Sequence, residues 1–161
     1  MKIAIVFYSM SGNTEYVANE ISKKVDVDLI KIEPEKTYPD SGMKKFFWGG
    51  KSAIMGETPN LKSYDFNSNK YDLIIFGTPV WASNFTPPIR TFIKENKDDL
   101  KNKKIAIYIC SSGGGTNVIE KFKKCLEIDE VEAELSLIDP KDKTLDENEK
   151  KIEEFCKKLS K

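Results

Sequence analysis

Histidine is missing from all 161 residues. Its absence removes Ser-His-Asp and Cys-His nucleophilic catalysis, and with them every histidine-ligated metal centre. Cysteine is scarce. Cys110, Cys125 and Cys156 show neither CxxC nor metal-finger spacing, and apolar neighbours at strand or helix spacing mark them as buried structural thiols. Charge of one sign is not in excess, since Lys+Arg and Asp+Glu number 26 each, so nothing global favours nucleic acid or a membrane surface as partner. No apolar run approaches the roughly 20 residues needed to span a bilayer. A signal peptide's small-residue cleavage site is also lacking, and the expectation is a cytoplasmic protein. Repeats, low-complexity runs and linkers are not found, so residues 1–161 are expected to form one domain.

What the chain does have is alternation. An apolar strand pattern, Ile3-Ala4-Ile5-Val6-Phe7-Tyr8, precedes a helical pattern carrying Val17, Ala18, Ile21 and Val25. Residues 27–32 read as a short strand toward a sheet edge. Residues 33–68 are irregular, with an interrupted helix over 42–56 whose Phe46, Phe47, Ala53, Ile54 and Met55 are expected to face the body. Residues 71–77 read as a strand, its Leu73-Ile74-Ile75-Phe76 run of the kind buried on both faces of a parallel sheet. A loop over 78–85 leads to a helix opened by Thr86-Pro87-Pro88, Thr86 as N-cap and proline in the first turn. Ile89, Phe92 and Ile93 mark its buried face. Strands over 105–110 and 131–138 and helices over 117–126 and 145–159 complete the chain. Five strands alternating with five helices predict an α/β fold, a parallel sheet with helices on both faces.

In such a sheet, every loop that follows a strand opens at the strands' carboxyl ends, where ligands bind. Three of these loops are rich in Ser, Thr, Asn and Gly. The first is Ser9-Met10-Ser11-Gly12-Asn13-Thr14, between the first strand and the first helix. Backbone N–H groups and the positive end of a helix dipole meet there, with hydroxyls and no cationic side chain of the loop's own. A phosphate monoester suits such a loop. The second, Thr78-Pro79-Val80-Trp81-Ala82-Ser83-Asn84, offers an indole face to a flat ring. The third, Ser111-Ser112-Gly113-Gly114-Gly115, lets backbone amides and carbonyls approach a ring edge. Gly50-Lys51-Ser52 imitates the end of a P-loop, but Lys45 stands where that motif needs its first glycine.

Taken in order, these loops resemble those of the flavodoxin family over nearly the whole chain. Tyr8-Ser9-Met10-Ser11-Gly12-Asn13-Thr14 is similar to that family's phosphate loop for flavin mononucleotide (FMN). Gly77-Thr78-Pro79-Val80-Trp81 with Thr86-Pro87-Pro88-Ile89-Arg90-Thr91-Phe92 is similar to its second flavin loop and following helix. The resemblance implies a three-layer sandwich, a five-stranded parallel sheet of order 2-1-3-4-5, FMN held by the eighteen residues of the three loops, and Trp81 against one flavin face. It also implies a low-potential electron carrier whose partners are redox proteins, a reductase and an electron acceptor, with the chain a monomer or weak homodimer. The alternative is an NAD(P)H-dependent FMN or quinone reductase. Three departures bear on the choice. The third loop carries no aromatic to cover the second flavin face, leaving that face to a residue such as Trp48 or to a substrate. Ala82 stands where many flavodoxins have glycine, and a positive φ there costs alanine about 1 kcal/mol more than glycine. The balanced charge differs from the acidic surface common in the family.

Overall fold

The computed structural model describes residues 1–39, 42–113, 115, 117–143 and 146–159, and of residues 42–47 only the backbone. Its core is a parallel sheet of β1 (Ile3–Phe7), β2 (Val27–Lys31), β3 (Leu73–Trp81), β5 (Lys104–Ser111) and β6 (Ala133–Ile138), in the order β2-β1-β3-β5-β6. A two-residue strand, β4 (Asn84–Phe85), pairs antiparallel with the end of β3 and lies off this path. Without β4 the order is the expected 2-1-3-4-5. Helices α1 (Asn13–Ser22), α2 (Gly42–Ile54), α3 (Pro87–Glu95), α4 (Lys97–Leu100), α5 (Val118–Leu126) and α6 (Asp146–Leu159) connect or follow the strands.

The three central strands, β1, β3 and β5, are apolar along their middles because both of their faces are covered. Successive side chains point to opposite faces. Ile3, Ile5 and Phe7 of β1, with Leu73, Ile75, Tyr108 and Cys110, therefore pack against α1 and α6. Ala4, Val6, Ile74, Phe76, Ile105 and Ile107 face the other layer, where α3 and α5 bring Ile89, Phe92 and Phe122. Each of these fully buried Ile or Phe side chains contributes about 1.5–3 kcal/mol. The edge strand β6 alternates buried and exposed positions along its length.

Several expectations need correcting. β3 does not stop at Gly77 but continues through Trp81, so the expected loop over 78–85 is a strand end and a hairpin. Ala53 is buried, whereas Ile54 and Met55 are 71% and 66% exposed and face solvent, since Ile54 falls on the outer side of the last turn of α2 and Met55 follows the helix end. The side chains of Phe46 and Phe47, and Leu145 at the expected start of the last helix, lie outside the described residues. Thr86 is the N-cap of α3, with proline at the first turn as expected, but its side chain makes no capping bond because it is turned toward Thr78. Cys110 and Cys156 are buried, Cys125 is half-buried, and the three form no disulfide.

One packing detail positions the site. Tyr108 on β5 is fully buried, and its ring fills the hollow left by Gly77 on the neighbouring strand. A Cβ on Gly77 would lie 2.2 Å from the Tyr108 Cζ and hydroxyl oxygen. That hydroxyl donates a 3.0 Å hydrogen bond to the backbone oxygen of Thr14, in the first turn of α1.

Candidate cofactor site

The chain leaves β1 and enters α1 through a turn whose geometry only glycine adopts easily. Gly12, the N-cap, has φ +91°. Its carbonyl accepts the first helical bond from Tyr16 N–H at 2.9 Å. Ser9 Oγ accepts from Glu15 N–H at 3.2 Å, so Ser9 ties down the loop from inside. The amides of Ser11, Gly12, Asn13 and Thr14 have no acceptor among the described residues. They converge at the positive end of the α1 dipole. Thr14 itself is 1% exposed, and its Oγ1 is buried with no hydrogen-bond partner. The nearby Cys110 thiol feels that hydroxyl, yet the geometry falls short of a bond. An unpaired buried hydroxyl costs about 1–3 kcal/mol, which an oxyanion accepting its proton would recover. The donor set fits a phosphate monoester: amides, hydroxyls and no formal charge within the loop itself.

The second loop is built differently. Trp81-Ala82-Ser83-Asn84 forms a two-residue hairpin, with Val80 paired to Phe85 and Trp81 to Asn84. Both central residues have positive φ, Ala82 at 47° and Ser83 at 56°, the geometry of a type I′ turn. Alanine thus occupies the left-handed region at a position that glycine would adopt without strain. Neighbours hold the turn there. Asn84 Nδ2 donates to the Ala53 carbonyl at 3.1 Å, and Lys121 Nζ donates to the Ser83 carbonyl at 2.7 Å.

Trp81 is wedged among aromatics. Its ring lies edge-on to Tyr8 (centroids 5.7 Å, 90°) and to Tyr38 (5.0 Å, 81°). Gly49 of α2 packs flat on the indole: a Cβ there would lie 3.1–3.3 Å from three atoms of its six-membered ring. One face of Trp81 is therefore covered by α2, and Trp81 also lines a cavity of about 150 Å³.

That cavity joins the three predicted loops. Ser11, Asn13 and Thr14 come from the first, Pro79, Val80, Trp81 and Ala82 from the second, Ser111 and Ser112 from the third. Gly50, Cys110 and Asp139 complete its wall. The remaining predicted residues stand around it. Ser9 and Gly12 shape the first loop, and Met10 packs on the core. Thr78 is fully buried; its Oγ1 donates to the Pro79 carbonyl at 2.9 Å, accepts from Thr86 N–H at 3.1 Å and lies 3.0 Å from Thr86 Oγ1, which pins the hairpin. Ser83 and Asn84 hold the turn. Gly115 sits where a Cβ would fall 2.8 Å from Ile109 and 3.0 Å from Val80, whereas Gly113 borders open space. Gly114 lies outside the described residues. Trp48 does not line the cavity; it stands 51% exposed over a neighbouring groove, with Lys51 Nζ 5.8 Å from its ring.

Sequence reasoning missed four contributors. Tyr108 orients the first turn of α1. Gly49 and Gly50 come from a helix far away in the chain. The fourth is a loop, the turn after β6, where Asp139 (φ 42°) donates its N–H to the Ser111 carbonyl at 2.9 Å and Lys141 N–H donates to Asn13 Oδ1 at 2.9 Å. Among these, only the glycine pair of α2 left a visible mark in the sequence. Burial pushes the Cys110 thiol up to about 12 and the Tyr8 hydroxyl well above its ordinary value, so both stay neutral near pH 7.

A doubly wound sheet with a helix N-terminus, an indole and a glycine-rich turn at the carboxyl ends of β1, β3 and β5 defines the class of phosphate-ester-binding α/β proteins whose ligand carries a flat ring. Within that class the chain belongs to the flavodoxin family: the family model described as Flavodoxin matches residues 2–153. Among solved structures, a flavoprotein from Lactobacillus acidophilus NCFM, in complex with FMN, is 25% identical with a TM-score of 0.73, covering 88% of this chain and 95% of that one. A protein from Bacteroides eggerthii DSM 20697 is 24% identical with a TM-score of 0.76, covering 99% and 98%. The two-electron reduced flavodoxin of Megasphaera elsdenii shares the fold at 19% identity and a TM-score of 0.64, covering 98% of each chain. Among the described residues, no helix is long and apolar enough to cross a membrane.

Proposed function

We propose that this protein is an FMN-binding electron-transfer flavoprotein, a low-potential carrier of the flavodoxin type. The observation that carries the reading is the buried Thr14 hydroxyl, which lacks a partner, together with four amides that have no acceptor among the described residues. FMN fits that cradle, and the FMN-bound relative at 25% identity supports the same cofactor. When bound, the flavin supplies the electron chemistry. The chain's part is to hold and tune it. Ser11, Asn13 and Thr14 take the phosphate end. Val80 and Trp81 give apolar walls that lower the local dielectric and disfavour added negative charge in the cleft.

The carrier role is supported by the surface beside the hairpin. Trp48, Ile54 and Met55 are 51%, 71% and 66% exposed, and Ala53 next to them is tied to Asn84 of the turn. Exposed apolar side chains on a segment that touches the hairpin suit transient protein contacts. The partners proposed are redox proteins, a reductase and an electron acceptor, met in the cytoplasm by a monomer or weak homodimer. A second reading, an NAD(P)H-dependent FMN or quinone reductase, is favoured by a groove of about 460 Å³ lined by Tyr8, Ser9 and Tyr38, the two tyrosines being those that touch Trp81.

Anaerobic reduction separates the two. FMN-loaded protein is expected to stay yellow with NADPH alone and to bleach when a ferredoxin-type reductase is added. Rapid bleaching by NADPH alone would select the reductase, and a protein that takes up no FMN would end both readings.

A further inference from the structure

The phosphate loop has no cation of its own, but the fold supplies one. Lys141, in the turn after β6, lays its side chain over the bare Cα of Gly12. A Cβ on Gly12 would lie 3.1 Å from Lys141 Nζ and 3.5 Å from its Cδ. The lysine is held there from its backbone, because its N–H donates to Asn13 Oδ1 at 2.9 Å. The turn that carries it is anchored as well. Asp139 N–H donates to the Ser111 carbonyl at 2.9 Å, and Lys143 N–H returns to the Asp139 carbonyl at 2.8 Å. Asp139, which lines the cavity, is paired with Lys143 Nζ at 3.2 Å, and the adjacent Asp142 makes no ion pair with Lys141 among the described residues. Lys141 Nζ makes no ion pair or hydrogen bond among the described residues. An uncommitted ammonium thus rests against the glycine at the head of α1, two residues before Thr14 with its buried, unpartnered hydroxyl.

We propose that Lys141 is a phosphate-recognition residue, a charge brought from the far edge of the sheet that favours a doubly negative phosphate monoester over the uncharged alcohol of the same ligand. This deepens the FMN reading and rests on it. The chemistry is simple. A phosphate monoester carries about −1.5 to −2 at neutral pH, and a lysine is a mobile point charge with three donors that can follow it. Because Lys141 is exposed, its attraction is screened by salt, unlike that of the amides and Thr14. The lysine therefore adds a salt-dependent part to an otherwise salt-insensitive site, and Gly12 provides the bare surface on which it lies.

The test is a fluorescence-quenching titration of apo-protein with FMN and with riboflavin, at low and at high salt, for wild type, Lys141→Gln and Lys141→Arg. Lys141→Gln is expected to weaken FMN about tenfold at low salt, to leave riboflavin unchanged and to flatten the salt dependence of FMN binding. Lys141→Arg should keep most of the affinity and the salt slope. Equal FMN affinity and salt slope in wild type and Lys141→Gln would overturn the proposal while leaving the FMN reading intact. Equal weakening of FMN and riboflavin would also overturn it, since that marks a disturbed loop. A wild type that binds neither flavin would fail the cofactor reading itself.

Discussion

The two ends of the cleft are built on opposite plans. At the phosphate end the working groups are backbone amides and one buried hydroxyl, fixed by Gly12, by Ser9 Oγ on Glu15 N–H and by Tyr108 on the Thr14 carbonyl. At the ring end they are side chains pressed together from separate segments: Trp81 from β3, Tyr8 from β1, Tyr38 from the irregular stretch and Gly49 from α2. The first end is specified by a local turn. The second is specified by packing and carries its strain openly, in two consecutive non-glycine residues with positive φ. A site of this kind separates anchoring from tuning, so that one end can change without the other.

Substitutions should divide along the same line. The largest effect is expected from Thr14→Val, which keeps the shape and removes the orphaned hydroxyl. FMN binding should weaken by about 2 kcal/mol and riboflavin binding hardly at all. The apo-protein should become more stable by about 1 kcal/mol in urea unfolding, because a buried unsatisfied group has gone. Equal loss for both flavins would erase the distinction between the two ends. Gly49→Ala comes next. Its Cβ would press on the Trp81 ring at 3.1 Å, moving the indole or α2, so FMN and riboflavin should weaken together by about 1 kcal/mol. A loss confined to FMN would show that α2 serves the phosphate end. The smallest effect is expected from Ala82→Gly, which relaxes a left-handed alanine and should stabilise the protein by at most about 1 kcal/mol in thermal unfolding. Destabilisation would mean that the hairpin, held by Asn84 and Lys121, is comfortable with alanine as it stands.

The same contrast explains what the sequence disclosed. The sheet was legible because β1, β3 and β5 are continuous apolar runs between turn residues, and the phosphate loop because glycine and hydroxyls sit together between a strand and a helix. The strand order followed from family resemblance and stood once the small β4 was set aside. The hairpin was hidden. Neither Ala82 nor Ser83 announces a positive φ, and proline at position 79 disguises a strand that runs on to Trp81. Ile54 and Met55 read as core by their chemistry, yet the end of α2 packs through Ser52 and Ala53 and turns these two outward. Lys141 gave no local signal at all, being one lysine among many until the fold brings it across the sheet to Gly12.

Tyr108 and Thr14 are 94 positions apart, and the bond between them spans the middle of the sheet. Its ring can seat itself only after β3 has come alongside β5 and offered the notch at Gly77. A growing polypeptide therefore has no finished cradle while its first helix alone has emerged; the amides acquire their final aim when the third and fourth long strands lock. The brace that aims the cradle is thus a property of the assembled sheet and is absent from the strand–loop–helix segment taken by itself.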